Sequence, residues 1–289
     1  LPTVGKSDCL SKGNWSEQLK DSERHDMLRA IDLFAGAGGL SLGLAQAGIT
    51  PVCAVEVDPL AAASLKTHLP SAYVHCTDIR NVTFEGYRGK VELVCGGPPC
   101  QPFSSGGLRN AWDDERDMLP WFVKVIEAVC PDAFLMENVP GLAVGNRGDY
   151  LGNIIKEFGA LGYFVTWRIL NAADYGVPQS RRRLFVVGMR NRPFVFPRPT
   201  HGPNSLRPHV AVKDVLPPYQ IGEPNPAAVT YAKKPDLRPS PYHGLLFTGG
   251  GRPINRALPS PTILASAGGN KTHFFDDLNL VPEYHRHLF

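Results

Sequence analysis

Ile31-Asp32-Leu33-Phe34-Ala35-Gly36-Ala37-Gly38-Gly39-Leu40 carries the strongest fold signal in the chain. An apolar run enters a glycine cluster, and the stretch from Leu40 to Ala47 that follows has near-helical apolar spacing, so the segment reads as strand, tight turn and helix. Glycines there clear side chains away, which lets backbone approach a ligand, and the helix N-terminus beyond offers free N–H groups. The dinucleotide fingerprint would need glycine at position 41, where this chain has Ser41, so a pyrophosphate cradle is disfavoured. A tight turn with no ligand stays open as the alternative.

Working outward, the same alternation recurs. Strands are expected near Ala30 to Phe34, Val52 to Glu56, Tyr73 to His75, Glu92 to Cys95, Ala133 to Glu137, Phe164 to Leu170 and Leu184 to Met189. Helices are expected at Leu40 to Ala47, Pro59 to His68, Met118 to Val129 and Tyr150 to Leu161. Repeated βα units imply an α/β fold with a doubly wound, mostly parallel sheet. In such sheets ligands bind at the carboxyl ends of strands. Glu56 ends the second strand, where these folds set a carboxylate against ribose hydroxyls, and Asp78 follows the third. A solvated turn at Glu56 and Asp58, and a helix cap at Asp78, are the alternatives.

The chain has 289 residues, 43% of them apolar and 20% charged, which is enough for one large core with a smaller appendage. No run of about 18 apolar residues occurs and no secretory leader pattern opens it, so the expectation is a cytoplasmic protein with no membrane span. The six cysteines include no CxxC pair, so neither a disulfide scaffold nor a zinc site is expected, and no metal is assigned. Charge divides near Phe185: 18 basic against 21 acidic residues precede it, and 12 against 6 follow. The basic end suits an anionic partner such as nucleic acid. Proline concentrates in the same end, with glycine clusters at 249–251 and 268–269. The expected division is a polar leader or arm at 1–28, a catalytic and cofactor-binding domain at 29–190, and an irregular, β-rich recognition region at 191–289.

Gly96-Gly97-Pro98-Pro99-Cys100-Gln101-Pro102-Phe103-Ser104 carries the chemistry. Two prolines fix the backbone ahead of Cys100 and present it on a stiff turn at the end of the fourth strand. A thiol attacks only as thiolate, so an electropositive setting would help. Cys53 and Cys95, in apolar strands, read instead as buried and inert. Residues 105–117 have the composition of a mobile loop that could close over a substrate, or of an ordinary long connection.

Asp32 to Gly39, Pro98 to Ser104, Glu137-Asn138-Val139 and Gln179-Ser180-Arg181-Arg182-Arg183 resemble, in order and spacing, the motifs of DNA cytosine-5 methyltransferases, over roughly residues 29 to 190. The resemblance implies the class I S-adenosylmethionine-dependent methyltransferase fold. It implies that Phe34, Gly36, Gly38, Gly39, Glu56, Asp78 and Pro99 hold S-adenosylmethionine, with Glu56 on the ribose and Asp78 on the adenine. Gln101, Ser104 and Gln179 would contact the substrate. Cytosine C5 is a poor nucleophile, so the Cys100 thiolate would add to C6 and make the ring an enamine. Glu137 would stabilise charge developing toward N3, either protonated or sharing the N3 proton. C5 then attacks the sulfonium methyl, and loss of the C5 proton with expulsion of the cysteine restores the ring. Arg181 and Arg183, alternate residues entering a strand, would share a face and hold the base carbonyl and the neighbouring carboxylate or phosphate; Arg182 would face solvent.

The base must leave the duplex for this chemistry, and Lys, Arg and glycine loops after Met189 would engage DNA phosphates and groove. Members of the family normally continue with an R-x-x-x-R-E-x-A-R-type helix and a G-N-x-V-type turn, neither of which follows Ser260 to Asn270 here. A recognition region incomplete at its C-terminal end is therefore expected, with a second chain supplying the rest or the chain being a fragment. The leading reading is the modification enzyme of a restriction-modification system acting on duplex DNA. A tRNA cytosine-5 methyltransferase of the same fold, and an inactive fragment that only binds DNA, are the alternatives.

Overall fold

A computed structural model describes residues 28–99, 117–144, 147–215, 237–239, 245–247, 252–262, 273–275 and 287–288. The chain divides into two compact units, one running to Ile169 and including Arg183–Phe196, the other comprising Leu170–Arg182 and Pro197–Phe289.

The first unit is built on β1 (Arg29–Leu33), α1 (Gly39–Gln46), β2 (Thr50–Glu56), α2 (Pro59–His68), β3 (Tyr73–Cys76), β4 (Leu93–Gly96), α3 (Leu119–Val129), β5 (Ala133–Asn138), α4 (Arg147–Ala160) and β6 (Phe164–Asn171). After the short β7 (Gln179–Ser180), β8 (Arg182–Met189) returns to the sheet. The seven-stranded order is β3-β2-β1-β4-β5-β8-β6. Strands β1 to β5 pair in parallel, and β8 joins β5 antiparallel. The order reverses at β1, so the crevice between the ends of β1 and β4 is the topological switch point at which open α/β sheets bind ligands.

These elements form because apolar residues repeat at the right period. In α3, Phe122, Val125, Ile126 and Val129 are all buried, and in β5 Phe134, Met136 and Asn138 alternate with partly exposed neighbours. Phe122, Phe134 and Phe158 are completely buried against one another, with ring centroids 4.1 to 6.2 Å apart. Each such ring contributes roughly 1.5–3 kcal/mol by leaving water. On the other face, α2 covers Ala54 and Val74 through Ala62 and Leu65, and α1 covers Ala30 and Cys95 through Leu44. Among the described residues no helix covers that face beyond α1. Leu93, Leu135, Val187, Met189, Phe194 and Val195 help line an apolar groove of about 620 Å³.

Among the described residues the second unit holds β7 and six further short strands. β9 (Leu237–Pro239) pairs antiparallel with β10 (Leu245–Phe247). β11 (Arg252–Pro253) pairs with β13 (His273–Phe275), which pairs with β14 (His287–Leu288). β12 (Ser260–Pro261) pairs with β7. Past Met189 the described residues hold one single-turn helix, Val212–Asp214, as the proline content there would lead one to expect.

Candidate active site

The glycine turn joins β1 to α1 with three residues in the left-handed region: Phe34 at φ 56°, Gly36 at 57° and Gly38 at 91°. Glycine adopts that region freely, whereas at Phe34 it is strained. No atom lies within 4 Å of where a Cβ on Gly36 would sit, so the turn faces open space. Glu56 is held from both oxygens: Gly36 N–H donates to Oε2 at 2.7 Å and Asp58 N–H to Oε1 at 2.8 Å. Asp58 in turn caps α2, accepting from Leu60 and Ala61 N–H. Asp78 accepts from the Arg80 N–H at 2.9 Å and pairs with its guanidinium at 2.8 Å. Those bonds to Arg80 hold the Asp78 carboxyl below its ordinary pKa. Phe34, Glu56, Asp78, Pro99 and Met118 line one cavity of about 360 Å³.

The GGPP run then carries the chain past a second cluster. A Cβ on Gly97 would sit 3.2 Å from Glu137 Oε2, so this residue passes against the carboxylate. Asn138 Nδ2 donates to Pro98 O at 3.0 Å, and Met118 N–H donates to Pro99 O at 3.3 Å. Arg183 Nε donates to Glu137 Oε1 at 2.9 Å, both side chains being largely buried. The pairing follows from register, since Glu137 lies opposite Phe185 and Asn138 opposite Leu184 in the antiparallel ladder. The guanidinium orients the carboxylate through a charge-assisted hydrogen bond.

The structure thus brings together Phe34, Glu56, Asp78 and Pro99 around one cavity, and Gly97, Pro98, Glu137 and Arg183 around one ion pair. Gly36 touches the first group through Glu56, while Gly38 and Gly39 open α1. Cys100, Gln101 and Ser104 lie outside the described residues, as do residues 1–27 and most of the loop through 116. Gln179 and Arg181 belong to the second unit, where Gln179 pairs with Ser260 and the Arg181 carbonyl accepts from Ala172 N–H at 3.0 Å. Arg182 is exposed. Cys53 and Cys95 are completely buried; burial pushes the Cys53 thiol up to about 12 and raises Cys95 too.

Two features escape a reading of the sequence. Asn138 fixes the proline run through a carbonyl 40 residues earlier, and the buried Asp117 carboxylate accepts from the Tyr150 hydroxyl of α4 and from Leu119 N–H at the start of α3. Neither partner is adjacent in sequence, so only the fold reveals them.

The family model for C-5 cytosine-specific DNA methylases matches residues 28–225. The chain belongs to that family. It is 38% identical over 216 residues to the Type II methyltransferase M.AquIA of Picosynechococcus sp., covering 65% of this chain and 87% of the relative. It is 44% identical over 169 residues to the Type II methyltransferase M.XorII of Xanthomonas oryzae pv. oryzae, covering 55% of this chain and 40% of that protein. Among solved structures, a prophage-encoded Escherichia coli protein described as a DNA modification methyltransferase aligns with TM-score 0.55 and 28% identity, over 73% of this chain and 60% of the other. The chain therefore spans nearly all of one relative and less than half of another. The mostly parallel seven-stranded sheet is the class I methyltransferase architecture expected from the motifs. Among the described residues no helix is long and apolar enough to cross a membrane.

Proposed function

We propose that this chain is the catalytic part of a cytoplasmic restriction-modification enzyme that methylates C5 of a flipped-out cytosine in duplex DNA. The observation that carries the reading is the approach of the Gly97-Pro98-Pro99 run to the Glu137–Arg183 pair. Pro99 also borders the cavity lined by Phe34, Glu56 and Asp78. One peptide bond separates Pro99 from Cys100, so the nucleophile is tethered to both clusters at once.

S-adenosylmethionine suits the first cluster. The positive-φ glycine turn leaves room for a ligand, Glu56 can accept from ribose hydroxyls, Asp78 can accept from the adenine amino group, and Phe34 and Pro99 supply apolar walls. Bound there, the cofactor would supply an electrophilic methyl group. The residues do the rest. Cys100 adds to C6. Glu137, oriented by Arg183, holds the N3 proton and so stabilises the enamine. Arg183 and Arg181 hold the base carbonyl and nearby carboxylate or phosphate; Gln101, Ser104 and Gln179 contact the extruded nucleotide. Target recognition falls to residues 191–289, with the Leu170–Arg182 excursion that belongs to the same compact unit; their excess of basic residues suits DNA phosphates.

A second polypeptide belongs to the proposal. What supports it is the apolar groove that the described residues leave uncovered beyond α1, because sheets of this kind are normally covered on both faces. The expected test is methyl transfer to duplex DNA pools and to tRNA, with and without added candidate partner chains, read as 5-methylcytosine. Methylation of DNA supports the reading; methylation confined to tRNA replaces it with the RNA branch, and DNA binding without methylation under every condition replaces it with a binding module.

A further inference from the structure

The strained glycine turn is closed by a buried clamp that the reaction itself does not use. Asp32 lies near the end of β1, opposite Ala54 of β2 and Cys95 of β4, and is 1% exposed. Ser41, fully buried in the first turn of α1, donates its hydroxyl to Asp32 Oδ2 at 2.5 Å, and its backbone N–H also bonds this carboxyl. Helix α1 has no other such support: Gly38 at the cap position makes no side-chain bond, and no acidic residue occupies the first turn. A strand residue therefore does the work that a cap residue normally does for the free N–H groups of a helix start. The second oxygen, Oδ1, is buried without a hydrogen-bond partner. A half-satisfied buried carboxyl is costly, and such sites persist mainly where the surrounding geometry requires them.

Between the two ends of this clamp run Phe34, Gly36 and Gly38, all at positive φ. Phe34 cannot hold that conformation without restraint from its neighbours. We propose that Asp32, acting through Ser41, is a positioning residue that holds the glycine turn in its cofactor-binding conformation and makes cofactor affinity depend on its own ionisation. The proposal rests on the cofactor reading of the cavity given above. An ionised carboxylate accepts from Ser41 more strongly than a neutral carboxyl, so the clamp tightens as Asp32 loses its proton. Desolvation raises the Asp32 pKa from 3.8 to about 6, which brings this change into an accessible range. The titratable groups facing Asp32 are Cys53 and Glu56 from β2 and Cys95 from β4; the α1 sequence contributes none. Both thiols titrate far above this range, and Glu56 pushes the Asp32 value up.

The test is calorimetric titration of the whole chain with S-adenosylmethionine at pH 5, 6, 7 and 8. Wild type is expected to bind more tightly as pH rises from 5 to 7, and Asp32→Asn to bind about tenfold more weakly at pH 8, the worth of one charge-assisted hydrogen bond, with no pH dependence. Ser41→Ala, a milder change should Asp32→Asn unfold, is expected to weaken binding similarly, and Ser41→Thr to restore it. Wild-type binding with an unaltered affinity and pH profile in folded Asp32→Asn or Ser41→Ala overturns the clamp and leaves the cofactor reading intact. A wild type that fails to bind S-adenosylmethionine at any pH overturns the cofactor reading and the clamp with it.

Discussion

In the first unit, Phe122, Phe134 and Phe158 interlock beneath a seven-stranded sheet, and twenty-two further buried residues join the same cluster. Among the described residues of the second unit, the corresponding cluster is Val212 with Ile254. The described residues of that unit are joined by polar links: the Asp174 carbonyl accepts from Thr200 and His201 N–H at 2.9 and 3.0 Å, and its carboxylate accepts from His209 Nε2 at 3.0 Å. An apolar core fixes strand ends to a fraction of an ångström because close-packed side chains leave no room to slide. Hydrogen-bonded loops are cheaper to reshape. The contrast is between a closely packed framework in one unit and loops that tolerate change in the other.

Phe134→Ala removes the central ring of the first unit and is expected to lower unfolding stability by about 3–5 kcal/mol in denaturant titration. A loss under about 1 kcal/mol would mean the sheet does not depend on that cluster. Next comes Glu137→Gln, which keeps the shape but removes the charge paired with Arg183. It is expected to slow methyl transfer by roughly 10²–10⁴-fold in single-turnover assays with little change in stability. A smaller effect on transfer than on stability would make the ion pair structural.

Asp32 has a folded pKa raised from 3.8 to about 6, so the folded state binds more protons than the unfolded state between those values. Its stabilising contribution is full below about pH 4, falls as pH rises to about 6 and is constant above, a change of roughly 3 kcal/mol at most. The difference between wild-type and Asp32→Asn unfolding free energies should follow that curve in the ligand-free protein. A flat difference would place the proton elsewhere. The smallest effect is expected in the second unit. His209→Ala breaks one partly exposed pair with Asp174 and should cost about 1 kcal/mol or less, while changing DNA affinity more than catalysis of bound substrate.

Much of the first unit was legible from sequence, and for one physical reason. Runs such as Val-Cys-Ala-Val-Glu in β2 and Ala-Phe-Leu-Met-Glu in β5 are apolar enough to be buried on both faces, which distinguishes a central parallel strand from its surroundings. The Pro59–His68 helix is readable to its ends because Asp58 and Pro59 form an N-terminal signature. The site was legible less evenly. Glu56 and Asp78 follow from the rule that ligands lie at strand ends, but the Glu137–Arg183 bond spans 46 positions and needs the antiparallel return of β8, which no local pattern announces. Ser41 is the clearest lesson. In sequence it is the residue that spoils a dinucleotide fingerprint; in the fold it is the partner that secures the turn. The break between β7 and β8 around Arg181 was equally hidden, since the run of arginines carries no turn signal.

The most direct test of the catalytic account is covalent trapping. Duplex DNA carrying 5-fluorocytosine, incubated with the protein and S-adenosylmethionine, should yield an adduct that cannot eliminate, because fluorine replaces the proton normally lost from C5. Peptide mapping by mass spectrometry is predicted to find the methylated fluoropyrimidine attached at Cys100, and Cys100→Ser to give none. An adduct at another residue, or methyl transfer at full rate by Cys100→Ser, would contradict the account.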